Sequence, residues 1–398
     1  MRRPGVTAAL AAAALLLAAG CSSDGDGPRF GQRTTGPSRS ASGERSSAPG
    51  SASPSSTAPP AKGSAKVVRT VATGLDSPWG LAALPGGDVL VSSRDTGKIV
   101  RIAADSGRKT ELGSVPGVSP GGEGGLLGIA VSPDFGADHL VYAYFTTDSD
   151  NRVARMLYDE QRAPGDQLGA PDTVFKGIPK GTLHNGGRIA FGPDRMLYAG
   201  TGETGDRALA QDQESLGGKI LRMTPDGEPG VGNPSPDSVV YTVGHRNVQG
   251  LAWDDDKRLW ASEFGQDTWD ELNLIQPGRN YGWPDAEGKA GEDGMVDPVE
   301  QWKPADASPS GIAYAEGSIW LAGLRGERLW RVPLDGTRPV AKPQSFFGGK
   351  DGESAGEYGR LRSVVATDDG GLWLTTSNTD GRGKPSRRDD LLLRVEIS

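Results

Sequence analysis

Three groups of polar side chains in this 398-residue chain have the types and spacing needed for chemistry. His184 opens the string His-Asn-Gly-Gly-Arg, where glycines leave the imidazole little cover, and a neutral imidazole can act as a general base. Arg246 and Asn247 supply hydrogen-bond donors two loops further on. The acidic group consists of Glu123, Asp267, Asp270 and Glu271.

These residue types favour some chemistries and disfavour others. Carboxylate oxygens beside glycine carbonyls suit a hard cation such as Ca²⁺. With three histidines and one cysteine in the whole chain, a His-rich or Cys-rich zinc site is not expected. The cysteine is Cys21, near the N-terminus, so a thiol nucleophile in the rest of the chain is excluded. A general base without an evident nucleophile suggests a bound organic cofactor.

Composition narrows the class of protein further. The chain has 43 Lys+Arg against 51 Asp+Glu, a net charge of -8, and no basic block, which argues against a nucleic-acid partner. Its 60 glycines and 29 prolines disfavour a helical bundle, because both residues interrupt helices.

One pattern recurs six times and indicates the elements that must position these side chains. Each copy has a small residue, an apolar step, a turn and a short β-branched or aromatic strand. The copies begin 48 to 62 residues apart, at Gly80, Gly128, Arg188, Gly250, Gly311 and Ser363. Repeats of this length with about four strands each are typical of propeller blades. The sequence therefore predicts an all-β, six-bladed β-propeller over residues 66–398, with a sandwich or several small domains as the alternative.

The segment 66–73 is predicted to be a strand that completes the last blade and closes the ring. Functional groups of a propeller lie in the loops at one end of its channel, where the polar strings above are expected to converge.

The N-terminus predicts export. Residues 1–20 combine an Arg pair with a short apolar run, as in a signal peptide, and the ending Leu-Ala-Ala-Gly-Cys resembles a bacterial lipoprotein signal. Cys21 is then the lipidated residue, which anchors the protein to the outer face of the cell membrane; a plain secretory signal is the alternative. Residues 21–65 are rich in Ser, Pro and Gly and are predicted to be a disordered tether.

The chain from about residue 75 to 395 resembles the soluble quinoprotein sugar dehydrogenases, the glucose/sorbosone dehydrogenase-like family, and most closely its compact aldose sugar dehydrogenases. The resemblance rests on GGLLGIAVSPDF (124–135), HNGGRIAFGPD (184–194), GHRNVQGLAW (244–253), NYGWP (280–284) and GRLR (359–362). It implies a six-bladed propeller that uses pyrroloquinoline quinone (PQQ) and calcium to oxidise aldose sugars at C1 to the aldonolactone and passes electrons to an external acceptor.

The same resemblance implies roles for individual residues. His184 falls on the family's general base, and Glu203 replaces an aspartate that orients it. Arg246 falls on the arginine that polarises the quinone oxygens. Further cofactor contacts are implied at Asn247, Arg360 and Arg362. PQQ carries three carboxylates, and arginines suit them because the planar guanidinium binds a carboxylate in a bidentate manner.

For metals, the resemblance implies that the main-chain carbonyls of Gly265 and Gln266 bind the calcium that activates the cofactor. It places a second, structural calcium at Glu271 and the carbonyl of Tyr281.

Two cofactor positions depart from the family pattern. Glu123 stands where the family usually has a glutamine, and a carboxylate there would repel the carboxylates of PQQ unless it is compensated. Arg325 stands near the family's carboxylate-binding lysine, so the charge is kept and the reach is altered.

Because of these departures, a propeller that binds a sugar or protein ligand without redox turnover remains the alternative function. A calcium-dependent lactonase is a third, and it needs Asp, Asn and Glu around one metal in the channel. PQQ binding distinguishes the dehydrogenase from the non-redox propeller, because only the dehydrogenase needs to retain this cofactor. Trp302 is expected near the sugar cleft, whereas most of the other tryptophans, such as Trp260, Trp320 and Trp373, are expected in the blade cores.

Overall fold

The computed structural model describes residues 58–349 and 356–398. The predicted signal peptide, Cys21 and the tether up to residue 57 lie outside these residues. Within the two described ranges no helix is long and apolar enough to cross a membrane.

Short runs of β-branched and aromatic residues between Gly-rich turns form the strands, as expected from their preference for pleated, half-buried surfaces. The chain begins with β1 (Ala65–Ala72). Blade one contains β2 (Pro78–Ala83), β3 (Val89–Ser93), β4 (Lys98–Ile102) and β5 (Lys109–Ser114). Blade two contains β6 (Leu126–Val131), the short helix α1 (Phe135–Asp138), β7 (Leu140–Thr146), β8 (Asn151–Leu157) and β9 (Asp172–Ile178).

The middle blades follow the same plan. Blade three contains β10 (Ile189–Phe191), β11 (Leu197–Gly200), a 3₁₀ turn (Arg207–Ala210), β12 (Ile220–Met223) and β13 (Val240–Thr242). Blade four contains β14 (Val248–Trp253), β15 (Leu259–Glu263), β16 (Asp270–Ile275) and β17 (Glu300–Trp302).

Blade five contains β18 (Pro309–Ala315), β19 (Ser318–Gly323), β20 (Arg328–Asp335), β21 (Arg338–Pro339) and β22 (Gln344–Phe346). Blade six contains β23 (Leu361–Ala366), β24 (Leu372–Thr376) and β25 (Leu392–Ile397). All six sheets are antiparallel, and the innermost strands β2, β6, β10, β14, β18 and β23 pack side by side in a ring. This confirms the predicted six-bladed propeller.

The ring closes through the first strand. β1 pairs antiparallel with β25, from Ala65 opposite Ile397 to Ala72 opposite Leu392, so the N-terminal strand completes blade six as predicted. The chain ahead of β1 also contacts the propeller: Arg331 donates to the carbonyl of Pro60 (3.0 Å) and Gly63 N–H donates to Gln344 (2.8 Å). Contacts of the propeller therefore begin before the predicted boundary at residue 66.

The cores lie within and between blades. Trp260 and Trp320 are fully buried there, as expected. Trp302 is buried as well, at 6% exposure, and packs on Trp330 with ring centroids 5.8 Å apart. Trp302 ends β17, the outermost strand of blade four, and packs in a blade core, so its contacts give no support to the expectation that it lies near a sugar cleft.

Candidate active site

A pocket lies at one end of the central channel, where the loops before the innermost strands meet the loops after the second strands. We call it the channel pocket. It is lined by Trp79, Arg94, Glu123, Gln249, Phe264, Leu324, Arg360, Arg362, Asp380 and Arg382. Four arginines against two carboxylates leave an excess of positive charge, which suits a polyanionic ligand.

Arg360 and Arg362 share one carboxylate in this pocket. Their guanidinium groups lie 2.9 and 3.2 Å from Asp380 Oδ2. Burial raises the pKa of Asp380, but Arg362 and Arg360 together outweigh burial, so the pKa lies below its usual value. Burial lowers the pKa of Arg362 to about 10, with Asp380 opposing the shift. Arg362 therefore remains charged at neutral pH.

His184 and Glu203 form a hydrogen-bonded pair beside the channel pocket. His184 Nδ1 lies 2.8 Å from Glu203 Oε1, and the glutamate side chain is only 2% exposed. Because an ionised carboxylate only accepts, the neutral ring carries its proton on Nδ1 and keeps Nε2 as the basic nitrogen. The Glu203 carboxylate is itself held, since its Oε2 accepts from the N–H of Gly205. This is the arrangement that a general base requires.

Close backbone approach makes this pair possible. A Cβ on Gly202 would lie 1.9 Å from the carbonyl oxygen of His184, so only glycine allows the two loops to meet there. His184 itself has a φ of 51°, in the left-handed region that side chains seldom adopt. The surrounding contacts must hold this backbone in place.

Glu123 supplies one of those contacts. Its Oε2 accepts the backbone N–H of His184 at 2.9 Å, and its Oε1 lies 2.6 Å from Arg382. The extra charge of Glu123, which the sequence left without an evident partner, is therefore paired with an arginine from blade six.

Arg246 and Asn247 lie on the loop that enters β14, and both retain unused donors. Arg246 Nη1 donates to the carbonyl of Phe264 (3.3 Å), while its buried Nε has no partner. Asn247 Oδ1 accepts from Gly186 N–H (2.9 Å), and its buried Nδ2 has no partner. Buried donors without acceptors are costly, so acceptor oxygens of a ligand are expected here.

Four of the residues predicted to contact PQQ thus fit an anionic quinone cofactor. They offer buried unpaired donors at Arg246 and Asn247 and a charged fork at Arg360 and Arg362. Arg325 does not line the channel pocket; it is exposed, and the adjacent Leu324 lines the pocket instead.

The loop with Gly265 and Gln266 wraps around a single carboxylate. Glu287 Oε1 accepts the backbone N–H groups of four consecutive residues at 2.7 to 3.1 Å, namely Gln266, Asp267, Thr268 and Trp269. These four bonds lower the pKa of Glu287 despite the opposing effect of burial. In a planar peptide the C=O points opposite to the N–H. The carbonyls of Gly265 and Gln266 therefore point away from Glu287, side by side, as two oxygen ligands for a hard cation would.

Glu271 and Tyr281 are buried in blade four with partners of their own. Glu271 accepts from Asn273 (3.0 Å) and from Gly288 N–H (2.7 Å), and burial, aided by Glu263, raises its pKa to about 8. The Tyr281 hydroxyl donates to the carbonyl of Leu274 (2.8 Å). No group of three His, Cys, Asp or Glu side chains within residues 58–349 and 356–398 is arranged to hold a metal. The second calcium at Glu271 and Tyr281 therefore stays a prediction.

Several functional side chains escaped the sequence analysis. Asp380 and Arg382 follow β24, Arg94 follows β3 and Glu287 follows the Asn-Tyr-Gly-Trp-Pro string. For Asp380, Arg382 and Arg94 the available signal was their position in the repeat, since residues after the second strand of a blade lie at the same end as the pocket.

Arg188 is another such residue. It occupies the small-residue position of its repeat, where the other copies have Gly or Ser. Its guanidinium crosses to the carbonyl of Gln249 (2.7 Å) and Ser363 Oγ (3.1 Å) and lies over the Trp79 ring at 4.5 Å. Burial and the nearby Arg362 lower its pKa to about 9. Arg188 therefore braces three innermost strands next to the channel pocket.

Comparison with known proteins places this geometry in a family. The model for glucose/sorbosone dehydrogenase matches residues 75–393. The solved PQQ-bound aldose sugar dehydrogenase of Streptomyces coelicolor is 70% identical, with a TM-score of 0.83 over 86% of this chain and 100% of that one. The aldose sugar dehydrogenase of Escherichia coli is 28% identical over 77% of this chain and 89% of its own. Quinoprotein glucose dehydrogenase B of Acinetobacter calcoaceticus is 33% identical over 57% of this chain and 54% of its own.

Proposed function

Since the chain belongs to the glucose/sorbosone dehydrogenase family, we propose that it is a PQQ- and calcium-dependent enzyme that oxidises aldose sugars at C1 to the aldonolactone. The observation that carries this proposal is the His184–Glu203 pair, which lies beside an arginine-rich pocket and next to the unpaired buried donors of Arg246 and Asn247. The Streptomyces coelicolor protein, an aldose sugar dehydrogenase solved with PQQ, supports the cofactor and the substrate class.

When bound, PQQ supplies an ortho-quinone that accepts the hydride of the C1–H bond. The chain's own residues supply the proton chemistry. His184 Nε2 accepts the proton of the sugar's C1 hydroxyl, and Glu203 stabilises the resulting imidazolium through Nδ1–H. Arg246 and Asn247 offer their free N–H groups to cofactor oxygens, and Arg246 stabilises negative charge that develops there.

Arg360 and Arg362 of the channel pocket would hold carboxylates of the cofactor. Arg360 and Arg362 are already fixed by Asp380, so little side-chain entropy is lost when they bind a ligand. The carbonyls of Gly265 and Gln266 would hold calcium, which adds Lewis acidity at the quinone.

The direct test uses the chain from residue 58 onward, purified without cofactor. Titration with PQQ in the presence of Ca²⁺ should show stoichiometric binding by absorbance, and aldoses should then bleach the oxidised cofactor. The absence of binding at micromolar PQQ would refute the proposal and favour the non-redox propeller.

Glu287 provides a test of the calcium site. Because it fixes the peptide planes of residues 265–269, Glu287→Ala should raise the Ca²⁺ concentration for half-maximal reconstitution by about tenfold or more. Calcium affinity is measured by calorimetry on the PQQ-loaded protein, which does not depend on turnover. The matched control is Asp267→Asn, which removes an exposed carboxylate from the same loop and should leave the affinity unchanged. Equal effects of both variants would contradict a positioning role for Glu287.

Export and anchoring are part of the proposal. The N-terminal pattern of residues 1–21 supports cleavage before Cys21 and lipidation of that cysteine, with the enzyme at the outer face of the membrane. An external electron acceptor would take up the electrons released by the sugar. Mass spectrometry of the mature N-terminus tests the lipid, and Cys21→Ser should release the protein from the membrane fraction.

A further inference from the structure

Glu123 contacts the general-base loop through two bonds that run in opposite directions. Its own N–H donates to the carbonyl of Thr182 (2.9 Å), and its carboxylate accepts the N–H of His184 (2.9 Å). Close packing sets this geometry, because a Cβ on the adjacent Gly122 would lie 2.0 Å from the carbonyl oxygen of Thr182. The loop before β6 therefore hydrogen-bonds to the chain on both sides of position 183.

The second bond acts on a strained residue. His184 has a φ of 51°, and a left-handed backbone in a residue with a side chain persists only where its surroundings hold it. The His184 N–H would otherwise lose its acceptor in a partly buried position, at a cost that favours rearrangement of the loop.

The charge of Glu123 has a second consequence. A free carboxylate in the channel pocket would repel an anionic ligand, but Glu123 Oε1 lies 2.6 Å from Arg382 of blade six. Arg382 is well placed for this, since its own N–H is fixed by Asp380 Oδ1 (2.9 Å), whose Oδ2 lies against Arg360 and Arg362. The Glu123–Arg382 ion pair thus connects the loop before β6, which is hydrogen-bonded to His184, to the arginines across the pocket.

We propose that Glu123 is the positioning residue of the general base, and that Arg382 neutralises it so that the pocket still admits a polyanionic cofactor. This inference rests on the proposed function and assigns separate tasks to the two oxygens of one carboxylate. Oε2 sets the backbone of His184, and hence the direction of the imidazole. Oε1 takes part in the charge balance of the pocket.

The two tasks predict different kinetic signatures. Glu123→Ala removes both, and kcat should fall about tenfold to a hundredfold while KM for the sugar stays within about threefold. Glu123→Gln keeps an amide oxygen for the His184 N–H and should retain most of kcat. Arg382→Met leaves an unpaired carboxylate, and PQQ should bind about threefold to fivefold more weakly, a modest effect because the guanidinium is largely exposed.

Combining Glu123→Gln with Arg382→Met provides the decisive variant. Without the carboxylate there is nothing left to neutralise, so PQQ affinity should return to within about twofold of the wild type. PQQ binding is followed by absorbance titration without sugar, and kcat and KM are measured on the fully loaded enzyme. The matched control is Glu111→Gln, which breaks the Glu111–Lys98 pair (2.9 Å) on the outer strand of blade one and should change neither quantity.

The possible outcomes distinguish the proposed function from the two roles of Glu123. If the wild-type protein fails to bind PQQ, the proposed function fails. If the wild type is active and kcat of Glu123→Ala, or of Glu123→Ser should the alanine protein not fold, is unchanged, the positioning role is wrong. If the double variant binds PQQ as weakly as Arg382→Met, the neutralising role is wrong.

Discussion

Replacement of His184 by alanine should lower kcat for aldose oxidation by roughly a thousandfold while PQQ still binds with near wild-type affinity. The reason lies in the hydrogen bond between His184 Nδ1 and Glu203 (2.8 Å), which leaves Nε2 as the only basic ring nitrogen. Without the imidazole, the C1 hydroxyl must lose its proton to water. Stopped-flow absorbance of PQQ-loaded protein mixed with excess sugar measures the reductive half-reaction directly.

The control for this variant is His139→Asn. His139 is exposed in the turn after α1 and also has a left-handed φ of 53°, which asparagine tolerates. It should react at the wild-type rate. A His184→Ala protein that reduces its cofactor at a similar rate would exclude His184 as the base.

Glu203 should affect the same step through His184. Glu203→Gln retains an acceptor for Nδ1–H but removes the charge that stabilises the imidazolium, so its loss in rate should be smaller than that of His184→Ala. The double variant should be no slower than His184→Ala alone, since both side chains act as one unit.

Replacement of Arg246 by methionine should lower kcat by about a hundredfold and weaken PQQ binding as well. Arg246 is 9% exposed, lies 5.4 Å over the Trp283 ring and has an unpaired buried Nε. Burial lowers its pKa, and the carboxylates of Glu203, Glu287, Glu123 and Glu263 oppose this shift. Methionine keeps the apolar stem and removes only the guanidinium.

The matched control is Arg325→Met. This arginine was also predicted to contact the cofactor, but it is exposed next to a pocket-lining leucine. We expect PQQ affinity to change by less than about threefold. Both variants are compared by absorbance titration with PQQ and by the rate of cofactor bleaching. A larger loss for Arg325→Met than for Arg246→Met would reverse the assignment of these two arginines.

The repeat pattern was enough to predict the architecture. Alternating strands with turn signals at a nearly constant spacing are a local property, and the innermost strands begin within three residues of the repeat starts at Gly80, Gly128 and Gly250. Residue types in the loops were enough to predict a base at His184 and donors at Arg246 and Asn247. The structure adds the close approach of Gly202 to the carbonyl of His184.

Charge balance in the channel was not predictable in the same way. Glu123 looked uncompensated because its partner, Arg382, lies 259 positions away and on another blade. Asp380 likewise gave no signal, although it holds both Arg360 and Arg362. A propeller brings the first and last blades side by side, so neighbours across its channel are unrelated by sequence distance.

Sequence alone thus determined the blades and the end of the propeller where the polar loop residues gather, because strand propensity and turn chemistry are local. It also predicted His184 as the base, because residue type is local too. Closure of the ring by β1 was also foreseeable, since an unpaired strand edge needs a partner. The contacts between loops from different blades depend on the closed ring, so only the tertiary structure shows them. In the closed ring Glu123 binds the backbone of His184 and is paired with Arg382, so it does not act as a repelling charge. Arg325 is exposed to solvent. Arg188 connects innermost strands of other blades, at a position that is Gly or Ser in the other repeats.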